Sequence, residues 1–155
     1  MIFDMTKRVG GGSAYTIAPY NILDGVELYS GFISSSGGVS SAGANTKEKY
    51  SPYIDIPAGN DGKFWFTSAF GTNSTNTSGS WWGIGFYDAN KTFISRPTVT
   101  AATSSIAVPS NAVYARISFR TGGDFVYAVF NTQAEYTQYA ALYPLLKNTG
   151  ASIIL

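Results

Sequence analysis

The chain has 155 residues with no cysteine and no histidine, which excludes disulfides and thiolate chemistry and removes the commonest general base and metal ligand. A net charge of +1, with 12% charged residues, leaves no basic field to collect nucleic acid. No run approaches the ~18 apolar residues of a membrane span. In place of charge there are 11 tyrosines, 10 phenylalanines and 3 tryptophans amid Ser, Thr, Asn and Gly, a mixture that makes adhesive, adaptable surfaces. So little charge also fits a subunit largely covered by its neighbours. The length predicts one domain, able to bury roughly two-thirds of its unfolded surface without staples.

Residues 1–20 read as an arm. Met1 to Arg8 holds no apolar stretch of signal-peptide length, so synthesis in a cytoplasm is expected. Gly10-Gly-Gly-Ser13 is a flexible joint, and no Gly-Lys-Ser/Thr follows to make a phosphate loop. The body opens at Asn21-Ile-Leu-Asp24, and Val26, Leu28 and Tyr29 begin a strand. Residues 34–46 are small and polar and read as a surface loop. Lys47-Glu-Lys49 reads as a solvated charge cluster. Tyr50 to Ile56 reads as one strand ended by Pro57, Ala58 to Gly62 as a turn, and Lys63 to Ser68 as a strand with Phe64 and Phe66 on one face and Trp65 on the other. Residues 71–80 are loop.

The sequence centres on a hairpin from Trp81 to Ser95. Trp82, Ile84 and Phe86 alternate against Trp81, Gly83, Gly85 and Tyr87. Asp88-Ala-Asn-Lys91 supplies the turn, and Phe93 and Ile94 restart the apolar run. The two glycines leave an open floor between Trp81 and Tyr87, either a seat for a flat ligand or a place where another backbone packs closely. After an extended stretch to Pro109 and a turn at Ser110-Asn-Ala112, Tyr114 to Arg120 sets Ala115, Ile117 and Phe119 against Tyr114, Arg116, Ser118 and Arg120. Gly122-Gly-Asp124 turns the chain into a last strand, Phe125 to Phe130. Residues 131–143 show no steady helical period and read as irregular or extended. Residues 141–155 read as a tail whose apolar end, Ala151-Ser-Ile-Ile-Leu155, is expected to dock on this core or on a neighbour.

Short strands separated by turn signals predict an all-β fold, an antiparallel β-sandwich or jelly roll with an N-terminal arm and an extended C-terminal tail, and under about a tenth helix. Ile54, Ile56, Phe64, Phe66, Ile84, Phe86, Ile117 and Phe119 are the expected core.

Catalysis finds little support. The nine carboxylates are scattered, with no motif for a facing glycosidase pair, and the serines have no histidine to activate them. Asp88-Ala-Asn90 starts like a calcium loop but lacks the following ligands, so a turn is favoured over calcium between loops. No cofactor, no metal and no catalytic residue is assigned. The binding candidates are Trp81, Tyr87, Trp65, Tyr114 and Arg116. Sugars stack their C–H faces on flat rings while polar groups take the hydroxyls. The competing reading is ordinary aromatic packing and an exposed strand face.

Three segments carry a resemblance: Ser51-Pro-Tyr-Ile-Asp-Ile-Pro-Ala-Gly59, Gly85-Phe-Tyr-Asp-Ala-Asn-Lys-Thr-Phe-Ile-Ser95, and Val108-Pro-Ser-Asn-Ala-Val-Tyr-Ala-Arg-Ile-Ser-Phe119. In that order, with Asn21-Ile-Leu-Asp24 before them and Asn131 to Tyr139 after, they resemble the carbohydrate-binding-module-like jelly rolls of bacteriophage tail, baseplate and head-fibre proteins. The resemblance covers about residues 21–140. It implies a β-sandwich on a virion surface, glycan binding at a host surface or in mucus, and no catalysis. It also implies other virion proteins of capsid or tail as partners, and a homo-oligomer with a trimer favoured, without nucleic acid or membrane. The motifs describe scaffold, and Trp81-Trp82 with the loop before it departs from them. The alternatives are a purely structural capsid decoration, head fibre or tail subunit and, ranked last, a glycoside hydrolase fragment.

Overall fold

A computed structural model describes residues 21–41, 47–66, 81–99, 103–120 and 128–148. The arm (1–20), the loop at 71–80, the turn at 122–124 and the apolar end (151–155) lie outside the described residues. The described chain forms an antiparallel β-sandwich with one helix. The larger sheet has six strands, ordered β1 (Tyr29–Ser30), β4 (Glu48–Tyr50), β10 (Tyr114–Arg120), β7 (Trp81–Tyr87) and β8 (Phe93–Ser95), with β5 (Ile54–Asp55) also pairing with β10. The smaller sheet is β11 (Val129–Phe130), β6 (Lys63–Phe66) and β9 (Ser105–Ala107), and a two-stranded hairpin joins β2 (Phe32–Ile33) to β3 (Val39–Ser40).

Alternation explains the core. Phe64 and Phe66 point from the smaller sheet toward Trp82, Ile84 and Phe86 of β7 and Ala115, Ile117 and Phe119 of β10, all buried. Rings cross the layer in pairs, Phe64–Phe86 at 5.7 Å and Phe66–Trp82 at 5.7 Å, with Trp82–Phe119 at 5.5 Å within the larger sheet. Ile54 and Ile56 pack at its margin, half-buried. The body is closed by a tie between its ends: Asn21 Oδ1 accepts from Leu23 N (3.1 Å) and Val129 N (2.9 Å), and Ile22 N donates to Val129 O (2.9 Å).

Four expectations need correction. Residues 133–148 are neither irregular nor the start of an extended tail, because α1 spans Gln133–Asn148 and its 16 residues lift helix content just past the expected tenth of the 155. Its start is a capping box: Thr132 Oγ1 accepts from Glu135 N (3.3 Å), and Glu135 Oε2 accepts from Thr132 N (3.0 Å) and Asn131 N (3.1 Å). Tyr136 and Tyr139, one turn apart, then seat α1 on Phe130. The Tyr50–Ile56 run is two strands, broken at Ser51-Pro52-Tyr53, where proline has no N–H for the ladder. Glu48 is not solvated but 4% exposed, paired with Arg120, itself 4% exposed. The small, polar 34–46 region includes β3, which folds back on β2.

Candidate functional site

Period two puts Tyr114, Arg116, Ser118 and Arg120 on the outer face of β10, opposite the core. Register then sets Tyr114 against Tyr87, Arg116 against Gly85, Ser118 against Gly83 and Arg120 against Trp81. The β2–β3 hairpin covers the middle of this face. Ile33 is fully buried there, its N–H donates to Ser118 Oγ (3.2 Å), and Ser118 Oγ donates to Gly83 O (2.8 Å). The glycine floor is therefore filled by protein. A Cβ at Gly85 would meet Tyr87 Oη at 3.0 Å and Ile33 Cγ2 at 3.2 Å, and one at Gly37 would collide with the Phe93 ring.

Tyr87 belongs to this packing. It is 1% exposed, and its hydroxyl donates to Gly37 O at 2.7 Å, tying the hairpin down. Burial pushes the phenol up to about 12, although the charge and hydrogen bond of Arg116 pull the other way. The folded state thus favours the neutral phenol. The resulting stabilisation is whole below pH 10, the unfolded value, and is lost as pH rises toward 12. In an ultraviolet phenolate titration Tyr87 should ionise late, and Tyr87→Phe should remove the step near pH 12. Wild type should lose about 2 kcal/mol more than the variant between pH 10 and 12. A wild-type titration with no late phenol would show that Tyr87 is solvated.

Beside the hairpin, cations alternate with rings on this face. The Arg116 guanidinium lies over Tyr53 (4.7 Å) and Tyr50 (5.1 Å), with its Nε donating to Ser51 O at 3.3 Å. Lys91 Nζ lies over Tyr53 (5.1 Å) and Tyr114 (5.6 Å). Tyr53 meets Tyr87 edge-on at 4.9 Å and Tyr114 at 6.1 Å, and Tyr29 extends the row from Tyr50 at 5.7 Å. Tyr50, Tyr53, Tyr114 and Arg116 are half-buried, whereas Lys91 and Tyr29 are exposed. The Tyr29 hydroxyl donates to Glu27 Oε2 (3.1 Å); this bond, reinforced by the Glu27 charge, raises the phenol's pKa.

Of the five residues singled out from sequence, Tyr87, Tyr114 and Arg116 share this face. The backbone of Trp81 stands at the far end of β7, opposite Arg120; its side chain is outside the described residues. Trp65 lies across the core, on the outer side of the smaller sheet. It stacks on Tyr136 of α1 (5.8 Å, 29°) under Lys63 (5.4 Å), and its Nε1 donates to Asp61. There it helps to dock the helix. Burial would raise the Asp61 pKa, but hydrogen bonds from Gln133 N, Trp65 Nε1 and Lys63 N outweigh it and hold the carboxyl below the usual range. Reasoning from sequence missed Tyr50, Tyr53 and Lys91. The Tyr50-Ser-Pro-Tyr53 spacing was the available signal, since a break at Pro52 lets both rings reach one face. Among the described residues no three His, Cys, Asp or Glu side chains converge as a metal site. Asp88 makes a turn, its Oδ1 accepting from Asn90 N (2.8 Å) and Thr92 N (2.9 Å).

Comparison with known proteins finds no matching family model, no matching curated protein and no matching solved structure.

Proposed function

We propose that this protein is a structural component of a bacteriophage virion surface that adheres, without catalysis, to polysaccharide on the host or in mucus. The observation that carries the binding is the half-buried row of Tyr50, Tyr53 and Tyr114 with Arg116 and Lys91 among the rings. Flat rings offer stacking area to the C–H face of a sugar, and cations seated on rings are already oriented, so little side-chain entropy remains to be lost on binding. The virion setting is supported by the ordered resemblance of the 51–59, 85–95 and 108–119 segments to the carbohydrate-binding-module-like jelly rolls of phage tail, baseplate and head-fibre proteins, together with the β-sandwich that carries them. The proposed partners are other capsid or tail proteins and further copies of this chain, as a trimer. One site should bind in the millimolar to micromolar range, about 4–8 kcal/mol, with repeated copies supplying avidity.

A glycan array probed with assembled particles tests this. Wild type should be retained and Tyr53→Ala should be lost, because Tyr53 touches both cations. Retention unchanged in Tyr53→Ala moves the site elsewhere. No retention of wild type on any polysaccharide leaves a purely structural decoration or tail subunit.

A further inference from the structure

We infer that the polysaccharide taken by this face is acidic, a polymer bearing carboxylates, with Lys91 and Arg116 meeting its charge while the tyrosines stack on its rings. The inference rests on the glycan-binding reading above and adds the class of ligand. Neither cation has a carboxylate partner among the described residues, although the chain can make such pairs, as buried Arg120 and Glu48 do. Lys91 and Arg116 instead rest on π faces, which attract a cation without neutralising it. Both sit on the ring of Tyr53, at 5.1 and 4.7 Å, so two like charges share one ring on a chain whose net charge is only +1. Like charges so placed favour an anion beside them.

The backbone gives an independent argument. Lys91 is the one non-glycine residue of those described with positive φ, at 62°. Its N–H donates to Asp88 O at 2.9 Å, closing the turn. Glycine or asparagine suits that conformation better than lysine, so the turn holds a cation where the backbone does not favour one. Such strain is a pointer to function when the side chain has somewhere to act, and here the ammonium reaches Tyr53 and Tyr114. The surrounding acids are accounted for. Asp88 is engaged by the turn amides, Glu27 accepts from Tyr29, and Asp55 is exposed opposite Tyr114 in register. Asp55 is thus, with Asp88 and Glu27, one of the described carboxylates beside the row that oppose an acidic ligand, and its removal should favour one.

The test uses pairs of immobilised polymers that differ only in charge: polygalacturonate against its methyl ester, and hyaluronan against its carboxyl-reduced form. Assembled wild-type particles should bind an acidic member about tenfold more tightly than its neutral twin, and added salt should erase the difference. Lys91→Gly should weaken acidic binding by about five- to tenfold while leaving the melting temperature unchanged or higher, since glycine relaxes the positive φ. Asp55→Asn should tighten acidic binding, and Lys63→Ala, on the opposite sheet, should leave it unchanged. Equal binding to acidic and neutral twins overturns the inference and leaves glycan binding standing. Equal weakening by Lys63→Ala and Lys91→Gly also overturns it, because binding would then follow net charge rather than this face. Binding to neither member of any pair overturns the acidic inference, and glycan binding falls with it only when the glycan array also retains no wild type.

Discussion

Replacing Phe86 with alanine should destabilise the protein by about 3–5 kcal/mol. Phe86 is fully buried near the C-terminal end of β7, with Phe64 against it across the sandwich and Ala115 opposite it in register. Ala115 is too small to spread into the space a lost ring would leave. The outer side of the strand is held by the β2–β3 hairpin, through Ser118 and Gly83 and through Tyr87 and Gly37. Cavity cost therefore adds to the lost transfer energy. Ile117→Ala, equally buried, should cost about 2–5 kcal/mol. Urea unfolding of the two variants gives both numbers. A loss below about half a kcal/mol, the size of an ordinary surface change, would place Phe86 outside the core.

Glu48→Gln should cost about 3–5 kcal/mol, because it removes the carboxylate paired with the buried Arg120 guanidinium. The two residues pair across β4 and β10, with side chains only 6% and 5% exposed. The double change Glu48→Leu with Arg120→Met should recover most of that loss, since apolar groups of similar volume need no desolvation of charge. The contrast between single and double variants in the same urea experiment is the measurement. A double variant no more stable than Glu48→Gln would mean that the pair itself stabilises the sheet beyond what packing can replace.

The parts legible in the sequence are those governed by period two over several residues. Trp82-Gly-Ile-Gly-Phe86 and Ala115-Arg-Ile-Ser-Phe119 are long enough to show which face is apolar, and those faces are the core. Phe64 and Phe66 follow the same rule. Legibility fails where a strand is only two or three residues long. Val39–Ser40 has no period to read, yet it builds the hairpin that covers the glycine floor. Gly83 and Gly85 were correctly seen as leaving space; nothing local says that Ile33, some fifty positions earlier, fills it. Charge was misjudged at Glu48 for a related reason, because its partner lies 72 residues away. The helix was hidden by its weak apolar face of Tyr136 and Tyr139, although Thr132-Gln-Ala-Glu135 carried the capping signal. For the site, Tyr114 and Arg116 could be placed on one face, but the rings that surround Arg116 come from either side of a proline break between two other strands.

The tie between Asn21 and Val129 joins positions 108 residues apart, and this governs when the protein can fold as it leaves the ribosome. β10 lies between β4, β5 and β7 in the larger sheet, and it emerges after all three. At roughly 5–20 residues per second, strands β4 and β5 wait several seconds for the partner that holds them. The β7–β8 hairpin forms early, from local contacts, but Trp82, Ile84 and Phe86 face a smaller sheet that β11 completes only at the end, and the β7 edge waits for β10. Pairing across such long separations puts folding in the millisecond-to-second range rather than microseconds. The nascent chain is therefore most exposed to aggregation, and most in need of a chaperone, between the emergence of β7 and that of Val129.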